Sequence, residues 1–183
     1  MSSKYKIHNP NGIYFLTYAT VDWVDVFTRE MYCDIVVESL RHCQKEKGLV
    51  LHAWCIMTNH VHLIASASPN PETFVPLENI MRDHKKFTGA EIIRQIKSNH
   101  LESRQEWLLK HFAEARVDNL NQFWQYDNHT IELYSNEVIK QKLEYIHLNP
   151  VKAGFVDEIS HWRYSSAKDY CGMKGLLNLE LLL

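Results

Sequence analysis

Two apolar runs, Val50 to Met57 and His60 to Ser66, are separated by only Thr58 and Asn59. So short a link leaves room for a tight turn and nothing else, which forces the runs to pair as adjacent antiparallel strands. The rest of the chain must be arranged around that hairpin. Upstream, Ile13 to Val21 follows Asn11-Gly12 and is rich in β-branched and aromatic residues, so it reads as a strand. Between them Tyr32, Ile35, Val36, Leu40 and Cys43 recur at helical spacing from about Arg29 to Lys47, with Gly48 as the stop. Downstream, after a loop from Pro69 to Pro76, Leu77, Ile80, Met81, His84 and Phe87 mark a second helix to about Lys97, weakened toward its far end by Gly89.

The polar stretch from Ser98 to Gln122 reads as a surface insertion with a short helix near Trp107 to Ala115. Phe123 to Leu133 is expected to be extended. A last long helix begins at Ser135, a good N-cap, and is expected to end against Pro150. Val151 to Gly154 reads as a turn, Trp162 to Tyr170 as a short mixed segment, and the Leu-rich end from Leu176 to Leu183 packs either on the body or on a partner.

At 183 residues and 45% apolar content the chain suffices for one compact domain over residues 1–183, with a core at about 13–170, an insertion at about 98–122 and a C-terminal tail at 171–183. Cys33, Cys43, Cys55 and Cys171 form no CxxC pair and are expected to be buried thiols in a reducing compartment. No apolar run approaches a signal peptide or a membrane span, so a cytoplasmic location is expected. A formal net charge of −2 argues against coating nucleic acid by bulk charge, so any such contact needs a local patch.

Two patterns carry chemistry. On the second hairpin strand the side chains alternate, so His60, His62 and Ile64 share a face. Imidazoles about 6.6 Å apart along a strand can converge on one divalent ion, although such a pair is also often two hydrogen-bonded surface histidines. On the last helix Ile139, Leu143 and Ile146 form the core stripe, and Lys142, Tyr145 and Asn149 lie about a quarter-turn away. Tyr145 then reads either as an aromatic flanking the core, with Asn149 as a C-cap, or as a nucleophile with an amide oxygen beside it that a hard cation accepts.

The string Met57-Thr58-Asn59-His60-Val61-His62-Leu63-Ile64, followed some way on by Glu144-Tyr145-Ile146-His147-Leu148-Asn149-Pro150-Val151-Lys152-Ala153-Gly154-Phe155-Val156, resembles the REP-associated tyrosine transposases. These lie within the single-tyrosine insertion-sequence transposases with an HUH motif. Phe123-Trp124-Gln125 with His129, and Tyr164-Ser165-Ser166 to Tyr170, are supporting matches. The resemblance spans about Ile13 to Tyr170.

It implies an α+β fold with a ferredoxin-like βαββαβ core, an antiparallel sheet with helices on one face, plus the helical insertion and C-terminal extension. It further implies metal-dependent cleavage and rejoining of single-stranded, hairpin-flanked DNA through a 5′-phosphotyrosine link. On this sequence the nucleophile would be Tyr145, and the ligands of Mg²⁺ or Mn²⁺ would be His60, His62 and Asn149. Lys142 could ease ionisation of the phenol, a role the resemblance does not supply.

DNA contacts are expected from Arg82, Lys85, Lys86, Arg94 and Lys97 on the second helix, and by stacking from Trp124, Tyr126 and His129, with core packing the better default for Trp124. His52, His84 and His147 read as structural. The partner would be single-stranded or hairpin DNA, the protein a monomer or homodimer, with no membrane. Two departures are the length of the 98–122 stretch and the mildly acidic balance. One alternative is a domesticated hairpin-binding protein of repeat elements without transposition activity. Another is a cupin-like metalloenzyme, against which stands the lack of a carboxylate in Ile64-Ala65-Ser66-Ala67-Ser68.

Overall fold

A computed structural model describes residues 7–70, 72, 74–115, 122–126 and 129–182. The hairpin is as tight as its link requires: β2 (Leu49–Ile56) and β3 (His60–Ala67) pair antiparallel, and the Met57 N–H donates to the His60 carbonyl at 2.8 Å. β1 (Tyr14–Ala19) pairs with β3 on the other side, and β4 (His129–Glu132) pairs with β1, so the sheet order is β2-β3-β1-β4, all antiparallel. With α1 (Glu30–Lys47) and α2 (Leu77–Ser98) this is the expected ferredoxin-like α+β core, and an all-β barrel is excluded.

The period-2 pleat gives the sheet two apolar faces. Leu16, Tyr18, Leu51, Trp54, Val61 and Leu63 belong to the cluster that takes in Val36 and Leu40 of α1 and Ile80 and Ile92 of α2. Phe15, Ala53, Cys55 and Ile64 point the other way and meet Ile139, Leu143 and Ile146. Those three are the apolar stripe of α4 (Asn136–Lys152), which therefore covers the face that α1 and α2 leave open. Each large apolar side chain so buried contributes roughly 1.5–3 kcal/mol.

Helix ends follow local chemistry. α1 stops at Gly48, whose φ of 70° closes the helix through an N–H bond to the Cys43 carbonyl. Ser135 caps α4 by accepting from the Val138 N–H at 3.3 Å. The far end of α4 differs from expectation, because the helix passes through Pro150 and runs to Lys152. A proline removes a single ladder donor; here it falls in the last turn and its ring is buried, so the helix stops only at Gly154, with φ 74°. Gly89 does not end α2 either. A Cβ there would lie 3.2 Å from the Phe123 Cβ, so glycine serves the close approach of the segment leading into β4.

The insertion contains α3 (Gln105–Glu114), close to the expected short helix, while residues 116–121 of that stretch lie outside the described residues. Glu102 anchors its start, with its buried carboxylate accepting from Arg29 at 2.6 Å and Arg104 at 3.2 Å. The C-terminal tail packs on the body. Glu180 N–H donates to Leu51, and just upstream of the tail Ile56 N–H donates to Tyr164 and Ser166 N–H to Trp54, so the chain from Tyr164 onward runs along the outer edge of β2 and covers it. Cys33, Cys43 and Cys55 are buried free thiols as expected, whereas Cys171 is exposed, since the short helix α5 (Ala167–Tyr170) ends just before it at the surface. Among the described residues no helix is long and apolar enough to cross a membrane.

Candidate active site

The strand register places Ala19 opposite His60, and Thr17 and Cys55 opposite His62, on the face covered by α4. The histidine rings lie 4.6 Å apart at 79°, with their Nε2 atoms 3.0 Å from each other. Both Nδ1 atoms are held from behind. His62 Nδ1 bonds Thr17 Oγ1 at 2.7 Å, and His60 Nδ1 bonds Asn59 Oδ1 at 2.7 Å. The Asn59 amide is oriented by its own donors, since Nδ2 reaches the Trp23 carbonyl at 3.1 Å and Asp25 Oδ1 at 3.0 Å. His60 must therefore donate from Nδ1 and keep its lone pair on Nε2.

Burial keeps both rings neutral. It pulls the His62 pKa down to about 3, helped by electrostatic repulsion from neighbouring His60, Lys142 and His129, and the His60 pKa down to about 4, partly offset by Asp25. Neutral imidazole is the form that binds a metal. Two nitrogens each about 2.1 Å from one ion at right angles would sit about 3.0 Å apart. The pair fits a divalent cation in spacing and charge, and His60 also in tautomer. Among the described residues no three His, Cys, Asp or Glu side chains converge, so further ligands would come from an amide oxygen, water or substrate.

Tyr145, 42% exposed, brings its ring to 5.2 Å from the His62 ring at 72°, and to 5.9 Å from Phe15. Lys142 Nζ lies 4.8 Å from the centre of the Phe15 ring and 5.6 Å from that of Tyr145. Asn149, one turn after Tyr145, donates from Nδ2 to the Tyr145 carbonyl at 2.8 Å. The structure thus gathers His60, His62, Tyr145 and Lys142 in one chain, with Asn149 on the next turn of the same helix. His129 joins them on the same sheet face, opposite Thr17 in the β1–β4 register.

Other expected contacts lie elsewhere. Trp124 is buried, donates from Nε1 to Thr88 Oγ1 at 3.0 Å and packs against Tyr18 and Phe27; it is a core residue and cannot stack on a base. Arg82, Lys85, Lys86, Arg94 and Lys97 ride on α2, across the sheet from the histidines. Arg82 pairs with Asp83, Arg94 with Glu91, and Lys85 with the Gln125 carbonyl at 3.0 Å. His52, His84 and His147 are structural: His52 bonds Ser66 and the Glu180 carbonyl, His84 bonds Tyr18 and Ser39, and His147 bonds Ser166.

Thr17 and Asn59 were not singled out from the sequence. The parity of the hairpin could have found Thr17, since it must face His62 once β1 pairs with β3. Trp23 was also missed: its ring stands 5.4 Å from that of His60 and is 52% exposed.

Comparisons with known proteins agree with the resemblance read from the motifs. No family profile matches the chain. A protein of Haemophilus influenzae named "Putative REP-associated tyrosine transposase" is 22% identical over 166 residues, covering 91% of this chain and 85% of that one. The solved structure of a REP-associated tyrosine transposase bound to a REP hairpin superposes with a TM-score of 0.66 at 17% identity, covering 98% of this chain and 92% of the other. The chain resembles REP-associated tyrosine transposases in sequence and shares their fold.

Proposed function

We propose that this chain is a metal-dependent, single-tyrosine strand transferase of the HUH type that cleaves and rejoins single-stranded, hairpin-flanked DNA in the cytoplasm. The observation that carries the reading is the meeting of two neutral imidazoles, Nε2 to Nε2 at 3.0 Å, with the ring of Tyr145 at 5.2 Å from one of them. His60, His62 and Asn149 would hold Mg²⁺ or Mn²⁺, which supplies charge neutralisation at a non-bridging phosphate oxygen.

The phenol oxygen of Tyr145 attacks phosphorus, the bond to the 3′-oxygen breaks, and the phenol proton leaves to solvent while the departing 3′-oxygen takes one up. The product is a 5′-phosphotyrosine link and a free 3′-hydroxyl, which conserves the phosphodiester energy for rejoining. Lys142 favours the ionised phenol through its charge. The approach of Tyr145 to His62 within one chain supports attack in cis. His129, on the same sheet face, would meet the DNA beside this centre, whereas the α2 cations lie on a separate surface.

The test is incubation of the protein with Mn²⁺ and single strands carrying a hairpin, followed by denaturing electrophoresis. A covalent protein–DNA adduct is expected, absent with Tyr145→Phe or with EDTA. An adduct that persists in Tyr145→Phe would show that another residue attacks.

A further inference from the structure

β1 ends at Ala19, and the chain then makes an unusual excursion. Asp22 and Trp23, neither of them glycine, adopt φ of 50° and 57° in succession. Left-handed backbone at two consecutive side-chain-bearing residues is disfavoured, so the surroundings must impose it. Three anchors do so. Thr20 Oγ1 donates to the Val24 carbonyl at 2.8 Å and closes the turn. The Val21 N–H donates to the Phe123 carbonyl at 2.9 Å. The Trp23 carbonyl accepts from Asn59 Nδ2, the same amide whose oxygen orients His60. The result is an indole left half in solvent, edge-to-face with His60 at 68°.

A turn held this way for packing would bury its tryptophan. Instead it presents the ring beside the paired nitrogens, on the His60 side, while Tyr145 stands on the His62 side. We propose that Trp23 is a stacking platform for one unpaired base of the DNA, that of the nucleotide carrying the departing 3′-oxygen. This rests on the strand-transfer reading above. In a displacement the attacking and leaving oxygens lie roughly in line across phosphorus. With Tyr145 attacking from one end of the histidine pair, the leaving nucleotide departs toward the other end, where Trp23 is. An aromatic face accepts any base, so the platform fixes position rather than sequence.

The experiment is an abasic scan. A fluorescein-labelled hairpin with one unpaired arm is prepared with a single abasic site at each arm position in turn, and binding is followed by anisotropy in EDTA. With the wild-type protein, one position is expected to weaken binding by about tenfold. That position is the nucleotide immediately 5′ of the phosphate at which the adduct forms. Trp23→Phe retains the effect. Trp23→Ala and Trp23→Gly bind the intact probe about tenfold more weakly and no longer sense the missing base.

Trp23→Gly relieves the left-handed backbone, so its weaker binding cannot be assigned to misfolding, and its unfolding temperature should not fall. An abasic penalty that survives in Trp23→Ala, or one at a position on the tyrosine side, overturns the proposal. The strand-transfer reading fails separately, by absence of an adduct with wild type and Mn²⁺, because the scan is read without metal.

Discussion

The two faces of the sheet each hold a buried histidine, and the contrast between them separates a candidate ligand from a core residue. On the α1–α2 face His84 is enclosed, with Nε2 bonded to the Tyr18 hydroxyl at 2.8 Å and Nδ1 to Ser39 Oγ at 2.9 Å. On the α4 face His62 has Nδ1 bonded to Thr17, but its Nε2 faces only the Nε2 of a second histidine. Both rings have their pKa lowered to about 3 by burial. Burial and pKa therefore do not distinguish them; the partner of the second nitrogen does. An imidazole bonded to fixed hydroxyls at both nitrogens is structure, whereas two imidazoles that meet only each other at Nε2 can exchange that mutual hydrogen bond for a shared ion.

The largest effect should come from exchanging each histidine for alanine. His84→Ala leaves the Tyr18 and Ser39 hydroxyls unpaired around a cavity and should cost about 3 kcal/mol of stability, measured by urea unfolding. His62→Ala should cost far less stability yet weaken Mn²⁺ binding, followed by electron paramagnetic resonance, by at least about 100-fold. Matching stability losses with unchanged Mn²⁺ affinity in both variants would erase the distinction between the faces.

Acid is the next lever, and in metal-free protein it acts through the buried histidines of both faces, His60 and His62 as well as His84 and His147. His84 and His147 titrate at about 3 and about 4 in the folded chain because burial disfavours the charged ring. The unfolded chain takes up protons near 6.5, so their contribution is complete above that pH and is lost as pH falls toward 4 and then 3. Each group removes up to about 1.4 kcal/mol per pH unit within its window. Urea midpoints of metal-free protein should fall steadily below pH 6.5, and His147→Gln should flatten the upper part of that fall.

A smaller effect tests the support behind the pair. Thr17→Val keeps the shape at Thr17 and removes the hydroxyl from His62 Nδ1, which should weaken Mn²⁺ binding by about tenfold with little change in unfolding. Ser39→Ala makes the equivalent change behind His84 and should do the reverse, losing about 1–2 kcal/mol of stability with no effect on Mn²⁺. Equal responses to Thr17→Val and Ser39→Ala would place both hydroxyls in the same structural role.

Much of this was readable in the sequence. The two-residue link set the hairpin, strand alternation put His60 and His62 on one face, and helical periodicity separated the apolar stripe of α4 from Lys142, Tyr145 and Asn149. Periodicity does not say which helix covers which face, and so the basic residues of α2 were expected at a site from which the sheet divides them. Core packing was the better default for Trp124, and Gly89 and Thr88 are what receive it. Trp23 had almost no sequence signal, because left-handed backbone is ordinarily announced by glycine; Asp22 adopts it only occasionally, and nothing in the sequence announces it at a tryptophan.

The smallest expected effect concerns the end of α4, where Pro150 was wrongly expected to be the stop. Gly154 has φ 74°, its N–H donates to Val151 at 2.9 Å, and the Phe155 N–H reaches back to the Pro150 carbonyl at 2.9 Å. A Cβ on Gly154 would meet nothing within 4 Å, so Gly154→Ala should cost only the backbone penalty of about 1 kcal/mol, a fall of about 2–4 °C in unfolding temperature. Adduct formation at 25 °C should be unchanged, because the turns bearing Tyr145 and Asn149 precede the cap. If adduct formation dropped without loss of stability, the cap would be shown to set the angle of α4 over the histidine pair, making the α4 face adjustable where the α1–α2 face is locked by its own hydrogen bonds.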